Sequence, residues 1–309
     1  MGRRRRLRMD GFWPMRRTTS TASQARAAWM FLAPSLAILA LFVVYPIGRA
    51  AYLSLTDYSL LKPPRWIGLK NYTAIATDPA ARNAIKYTLI YGVVTTAVSV
   101  FLALIIAVLL NKRFLFRGLA RTAVFLPFIV SLSVVSIAWS YLLDPDIGLV
   151  SYWGRQAGIA AGQGWLVNPN LAMVSVIVVG IWKYLGFYVV MYLAALQSIP
   201  EEMYQAAAID GAGPIRRFFA LTWPLLSNQT MLIAVIATIT NLQAFDQIYV
   251  LTQGGPFFRT ETLVMMMYRV GFENLKFGYA AALSYVLVFI LTIVSFVQVS
   301  YFRRRSVQY

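Results

Sequence analysis

The chain has 309 residues, 59% of them hydrophobic and 13% charged, with a formal net charge of +17. About half apolar is usual for a soluble domain, so this composition points to a membrane protein. Cysteine and histidine are both absent, which excludes disulfides, thiolate chemistry, histidine-bound metals and histidine acid–base catalysis.

Residues 1–27 carry Arg3, Arg4, Arg5, Arg6, Arg8, Arg16, Arg17 and Arg26 and read as a basic cytoplasmic tail. The first apolar run, Ala27 to Tyr45 with Pro34 inside it, is too long for the apolar part of a cleaved signal and is expected as a retained span. Five further runs follow, Thr88–Leu110, Thr122–Leu143, Leu171–Leu196, Leu225–Val250 and Tyr279–Phe302. Each is long enough to cross about 30 Å of hydrocarbon as a helix. None alternates apolar and polar residues as a membrane barrel strand does. The expectation is an all-α membrane protein with six transmembrane helices in residues 28–302 and a short cytoplasmic tail, 303–309.

Lysine and arginine set the orientation. The N-terminal tail, Asn111–Arg121, Ser198–Leu226 and the ending Arg303, Arg304, Arg305 are basic, and alternating spans put them on one side. Both termini are therefore expected in the cytoplasm. On this reading the positive charge is topology, and no nucleic-acid partner is expected. The other side receives Ala50–Tyr87, with Pro63 and Pro64; Asp144–Asn170; and Leu251–Gly278, with the turn Gly254-Gly255-Pro256 and the apolar stretch Leu263 to Tyr268.

Ser198–Leu226 is the most structured of the polar connections. Ser198 and Glu201 have capping-box spacing. Glu201 and Glu202 place negative charge at a helix start. Gly211 suits the left-handed residue that ends a helix, and Pro214 suits the first position of the next. The segment offers small residues, Arg216, Arg217, Phe218 and Phe219 as a surface to be gripped.

There is no phosphate-cradling glycine loop followed by lysine, and no paired carboxylates lie within the runs. Two polar places do. Lys183 sits in the middle of its run, where an ionised lysine costs about 2.5–3.5 kcal/mol, so it is expected to face a watery cavity or a partner helix. Asn241, Gln243 and Asp246 end the fifth run, with Thr238 three residues before Asn241 and Gln243 three before Asp246, so each pair would share a helix face. Amides and a carboxylate suit a hydroxyl-rich ligand, with Tyr184, Phe187 and Phe245 as flat contacts. Interhelical hydrogen bonding is the alternative.

Gln205-Ala206-Ala207, Gly211, Leu221 and Trp223-Pro224 resemble the EAA loop of the membrane subunits of bacterial ABC importers. Gln205 stands where that loop usually has glutamate, and Trp223 where it usually has leucine. The flanking residues, with Trp66-Ile67-Gly68-Leu69-Lys70-Asn71-Tyr72, Tyr249 to Pro256 and Phe277-Gly278-Tyr279-Ala280, are similar to the carbohydrate branch and its larger maltose-type permease. The resemblance spans about residues 28–302. It implies a type I importer permease fold in which the loop 198–224 is a cytoplasmic coupling helix docking on an ATPase. Met203, Tyr204, Gln205, Ala206, Ala207, Asp210, Gly211, Arg216 and Phe218 would make that contact. Trp182, Lys183, Tyr184, Phe187, Asn241, Gln243 and Asp246 would line the substrate path.

It further implies a bacterial inner-membrane location, a second related permease, two ATPase subunits and an extracytoplasmic solute-binding protein, all amid membrane lipid. No cofactor is expected in this chain, since ATP and magnesium would belong to the ATPases, and no catalysis of its own. A sugar or oligosaccharide is the leading substrate and a glycerol-phosphate-type solute the alternative. An ion-driven secondary transporter using Asp246 and Lys183, and a membrane enzyme acting on lipid, are the rivals from other classes.

Overall fold

The computed structural model describes residues 21–112, 114–158 and 164–303. The arginines at positions 3–17, Arg113, Arg304 and Arg305, and with them most of both expected tails, lie outside the described residues. The chain divides into two units, residues 1–50 and 51–309. In the first, α1 (Thr21–Leu39) starts ahead of the expected span and carries Pro34 in its interior. It passes through a π-helical turn at Ala40–Val44 into α2 (Tyr45–Ser54). Gln24–Ser54 is long and apolar enough to cross a membrane.

The second unit opens with a hairpin that departs from an all-helical expectation. Strands β1 (Thr56–Ser59) and β2 (Lys62–Trp66) pair antiparallel, Thr56 opposite Trp66. Pro63 and Pro64 are tolerated because a two-stranded sheet has only edge strands. A short helix, α3 (Lys70–Thr77), leads to α4 (Pro79–Asn111), which begins well before the expected Thr88. Asp78 supplies the reason: its carboxylate accepts from the Ala80 N–H at 2.9 Å, with Pro79 in the first turn, so the cap lies beyond the apolar run.

Two expected spans are not straight. Helices α5 (Arg117–Ile129) and α6 (Leu132–Leu142) meet at 100°, because Val130 and Ser131 between them are extended, with ψ of 143° and 135°. After α7 (Leu149–Gln156), α8 (Ala172–Gln197) is one long helix. The polar connection follows as α9 (Glu201–Ile209), α10 (Pro214–Arg217), a π-helical turn and α11 (Trp223–Leu225). The segment Pro214–Leu225 then meets α12 (Ser227–Leu242) at 65°. The chain breaks again before α13 (Asp246–Leu251), so the fifth run ends earlier than its hydropathy suggests. Helix α14 (Leu263–Tyr268), a π-helical turn at Arg269–Glu273 and α15 (Phe277–Arg303) complete the unit. Among the described residues, four helices meet the length and hydropathy of a span, and up to six if each bent pair counts as one.

Helix α4 is the centre of the packing. Ala103, Leu104 and Ala107 are buried against Tyr188, Tyr192 and Leu193 of α8 and Ile233 and Ala237 of α12. Small side chains let these backbones approach without a hydrophobic drive from lipid. Side-chain bonds then fix the register: Tyr192 to Thr230 at 3.2 Å, Asn241 to Thr96 at 3.0 Å and Gln298 to Thr238 at 2.7 Å. Such bonds contribute about 0.6 kcal/mol each in a bilayer.

Candidate functional site

The bend between α5 and α6 is built around Lys183. Pro127 lies in the last turn of α5, whose terminal carbonyls have no helical partner. The Lys183 ammonium, on a residue only 4% exposed, donates to the carbonyl oxygens of Pro127 at 2.9 Å and Phe128 at 2.7 Å, and also to that of Val130. A cation at the negative end of a helix dipole is stabilising, and the same contacts solvate the charge where water is scarce. Gly186, one turn further on α8, makes the approach possible: a Cβ there would run into the backbone of Val124 and Phe125.

Around this bend Phe128 stacks on Phe187 with ring centroids 4.7 Å apart and lies 6.2 Å from Tyr184. Trp182 points elsewhere on α8, 41% exposed and edge-on to Trp139. The structure thus gathers Lys183, Tyr184 and Phe187 about Phe128 and leaves Trp182 beside α6. Neither Phe128 nor Pro127 stood out in the sequence, since an aromatic and a proline in an apolar run carry no polar signal.

At the end of α12 the expected trio separates. Asn241 is buried and donates to Thr96, the interhelical alternative. Gln243 and Asp246 are exposed, but they do not share a helix face, because Gln243–Phe245 is the break and Asp246 opens α13. The break is held from outside the helix: the Thr262 hydroxyl donates to the Ala244 carbonyl at 3.0 Å, and the Leu263 N–H donates to Thr88 at 2.7 Å. Gln247, unmarked in the sequence, is buried and donates to Tyr91 at 2.7 Å. In the segment between α13 and α14, Glu261 is buried against Arg269 at 2.7 Å. Burial raises the Glu261 carboxyl above its usual value and the Arg269 charge opposes that rise. Among the described residues no three acidic, histidine or cysteine side chains gather as a metal site.

The polar connection differs from its expected caps at one end. Pro200, not Ser198, is the N-cap of α9, without a side-chain bond. The Ser198 hydroxyl instead donates back to Ala195 at 2.8 Å, because Ser198 closes α8. The other end is as the residues suggest. Gly211 has φ of +74°. Ala212 N–H donates to Ala207 at 2.9 Å and Gly211 N–H to Ala208 at 3.1 Å, a Schellman end to α9. No residue of α9 is buried. Gln205, Ala206, Asp210, Gly211 and Arg216 are exposed, and Met203, Ala207 and Phe218 are half-buried. Tyr204 ties the two arms together, its hydroxyl 3.2 Å from that of Thr222. Two side chains that sequence reasoning passed over, Ile209 at 88% and Ile215 at 76%, are with Phe219 at 65% the most exposed apolar groups here. Large apolar groups on the polar side of a connection were the signal available.

Residues 99–307 match the family model described as binding-protein-dependent transport system inner membrane component. The chain is 36% identical to the lactose transport system permease protein LacF of Rhizobium radiobacter over 94% of this chain and 99% of that one. It is 32% identical to the sn-glycerol-3-phosphate transport system permease protein UgpA of Agrobacterium fabrum, over 90% and 94%. Its fold is similar to a chain of a bacterial alginate ABC transporter solved with an alginate pentasaccharide-bound periplasmic protein, with a TM-score of 0.80 at 21% identity, covering 91% of this chain and 96% of that one. The bent spans, the exposed capped connection and these likenesses agree, and the chain belongs to the binding-protein-dependent inner membrane components, the permeases of ABC transport systems.

Proposed function

We propose that this chain is one permease subunit of an ATP-driven, binding-protein-dependent importer of a sugar or oligosaccharide. The α9–Gly211–α10 connection is the handle through which two ATPase subunits move the spans. The observation that carries this is the handle itself: a short helix, none of it buried, whose C-terminal end is closed by its own chain at Gly211, with Ile209 on it and Ile215 and Phe219 just beyond it all exposed. A rigid body with exposed apolar side chains suits a docking cleft on another subunit. Met203, Gln205, Ala206, Ala207, Asp210 and Arg216 form the rest of that contact, with Tyr204 and Phe218 bracing it from within.

Both termini and the handle lie in the cytoplasm, as the basic segments dictate. ATP and magnesium belong to the ATPases, and a second permease completes the path. The path side chains are Trp182, Tyr184, Phe187, Gln243 and Asp246. Lys183 and Asn241 hold the shape of the path through the carbonyls of α5 and Thr96. The commitment of Lys183 to carbonyls favours an uncharged sugar over a phosphate-bearing solute, although a relative carries the name of a glycerol-phosphate system.

The test is reconstitution with the ATPase, the second permease and the binding protein in proteoliposomes. Sugar uptake should require ATP and survive collapse of the ion gradients. Uptake that follows an ion gradient without ATP would replace this reading with a secondary transporter.

A further inference from the structure

Phe245, Tyr249, Tyr268, Phe272, Phe277 and Tyr58 form one unbroken chain of ring contacts. Their successive centroids are 5.3 Å (Phe245–Tyr249), 5.2 Å (Tyr249–Tyr268), 5.5 Å (Tyr268–Phe272), 5.8 Å (Phe272–Phe277) and 5.9 Å (Tyr58–Phe277) apart. None of the six is buried, and Phe272 is 66% exposed. The rings are tilted or edge-on at most steps, with interplanar angles from 25° to 81°, which leaves faces open. By chain order they lie on one side of the membrane: α12 ends at the break beside Phe245, α15 starts at Phe277, and the hairpin bearing Tyr58 follows α2.

The two ends of this row are polar. At one, Gln243 and Asp246 are exposed beside Phe245. At the other, Tyr58 lines a cavity of about 690 Å³ together with Asp57, Ser59, Lys62, Asn274 and Lys276. A pyranose has the same division, with apolar C–H faces that lie on aromatic rings and a rim of hydroxyls that takes hydrogen bonds from amides, carboxylates and ammonium groups. An aromatic belt that only marks the lipid interface would have its polar surroundings at headgroup level alone. Here the rings join two polar stations.

We propose that this row is an entry track for pyranose sugars, received at the outer cavity and handed along the rings towards Gln243 and Asp246. It rests on the sugar-importer reading and adds the route by which the solute reaches the path.

The test uses the assembled transporter in nanodiscs, with lactose as the probe and mannitol, an acyclic polyol without a ring face, as the control. Saturation-transfer NMR should mark the ring C–H protons of lactose and leave mannitol unmarked. Phe272→Leu keeps an apolar side chain at this exposed position but removes the aromatic face, and should lower the lactose signal roughly three- to tenfold; Phe272→Trp should restore it. A lactose signal that is absent, equal to that of mannitol, or unchanged in Phe272→Leu overturns the track. ATP-driven sugar uptake by the same wild-type complex, moved from nanodiscs into sealed proteoliposomes, separates the two readings. Uptake with an insensitive Phe272 removes the track and leaves the importer, whereas no uptake of any sugar removes the importer itself.

Discussion

The Lys183 ammonium lies 2.7 Å from the carbonyl oxygen of Phe128, across the bend between α5 and α6. One cation on α8 thereby completes the end of a helix that the chain itself leaves open, and the aromatic group of Phe128, Tyr184 and Phe187 is arranged around that contact. Lys183→Met would leave those carbonyls without a donor. Hydrogen bonds to charged groups contribute about 1.5–3 kcal/mol, so the variant should unfold several degrees lower in a thermal melt of the purified complex. A variant that melted like wild type and changed only substrate affinity would show that Lys183 serves the ligand instead.

Gly186→Ala tests the same bend by shape. The added Cβ would meet the Val124 carbonyl and the backbone of Phe125, and neither can rotate away. Overpacking of this kind costs about 1–3 kcal/mol. The expected result is a lower melting temperature of similar size, with no change on substituting Gly118, where nothing lies within 4 Å of a built Cβ.

Gly211→Asp probes the handle. A side chain there meets no atom of this chain within 4 Å, and left-handed backbone is only modestly unfavourable for Asp. The protein should insert and melt almost normally. Transport should nevertheless be lost, because bulk and charge fall on the docked surface. Normal uptake by this variant would remove the coupling role of the connection.

The segment around Glu261 carries a pH signature. Burial holds the Glu261 carboxyl above its usual value. Between the ordinary and the raised value the folded protein binds more protons than the unfolded one, so this group's contribution to stability falls as pH rises through that interval. Glu261→Gln should flatten the fall of melting temperature as pH rises out of the ordinary carboxylate range, relative to wild type. Identical slopes would show that Glu261 is not the group responsible.

Much of this architecture was legible in the residues. Leu171–Leu196 became α8 almost end for end, Leu263 to Tyr268 became α14, and Gly211 and Pro214 ended and restarted the connection as their backbone preferences require. The bends were not legible, because the apolar run continues through Val130–Ser131, and the polar residues around Gln243–Phe245 read equally well as one face of an unbroken helix, while the helix stops at both places. Partners distant in sequence were equally silent. Asn241 finds Thr96, 145 residues away, and Lys183 finds carbonyls 53 to 56 residues away. A polar residue in an apolar run announces that it needs a partner; only the packing says which one.

The chain contains no cysteine, so Ile209→Cys, at an 88% exposed position, gives a single attachment point for a benzophenone photo-crosslinker on the handle. In membranes holding the assembled transporter, irradiation should join this chain to an ATPase subunit, with a yield that changes when ATP is added. A transport-competent complex in which neither Ile209→Cys nor Ile215→Cys ever captures an ATPase would contradict the handle and the mechanism built on it.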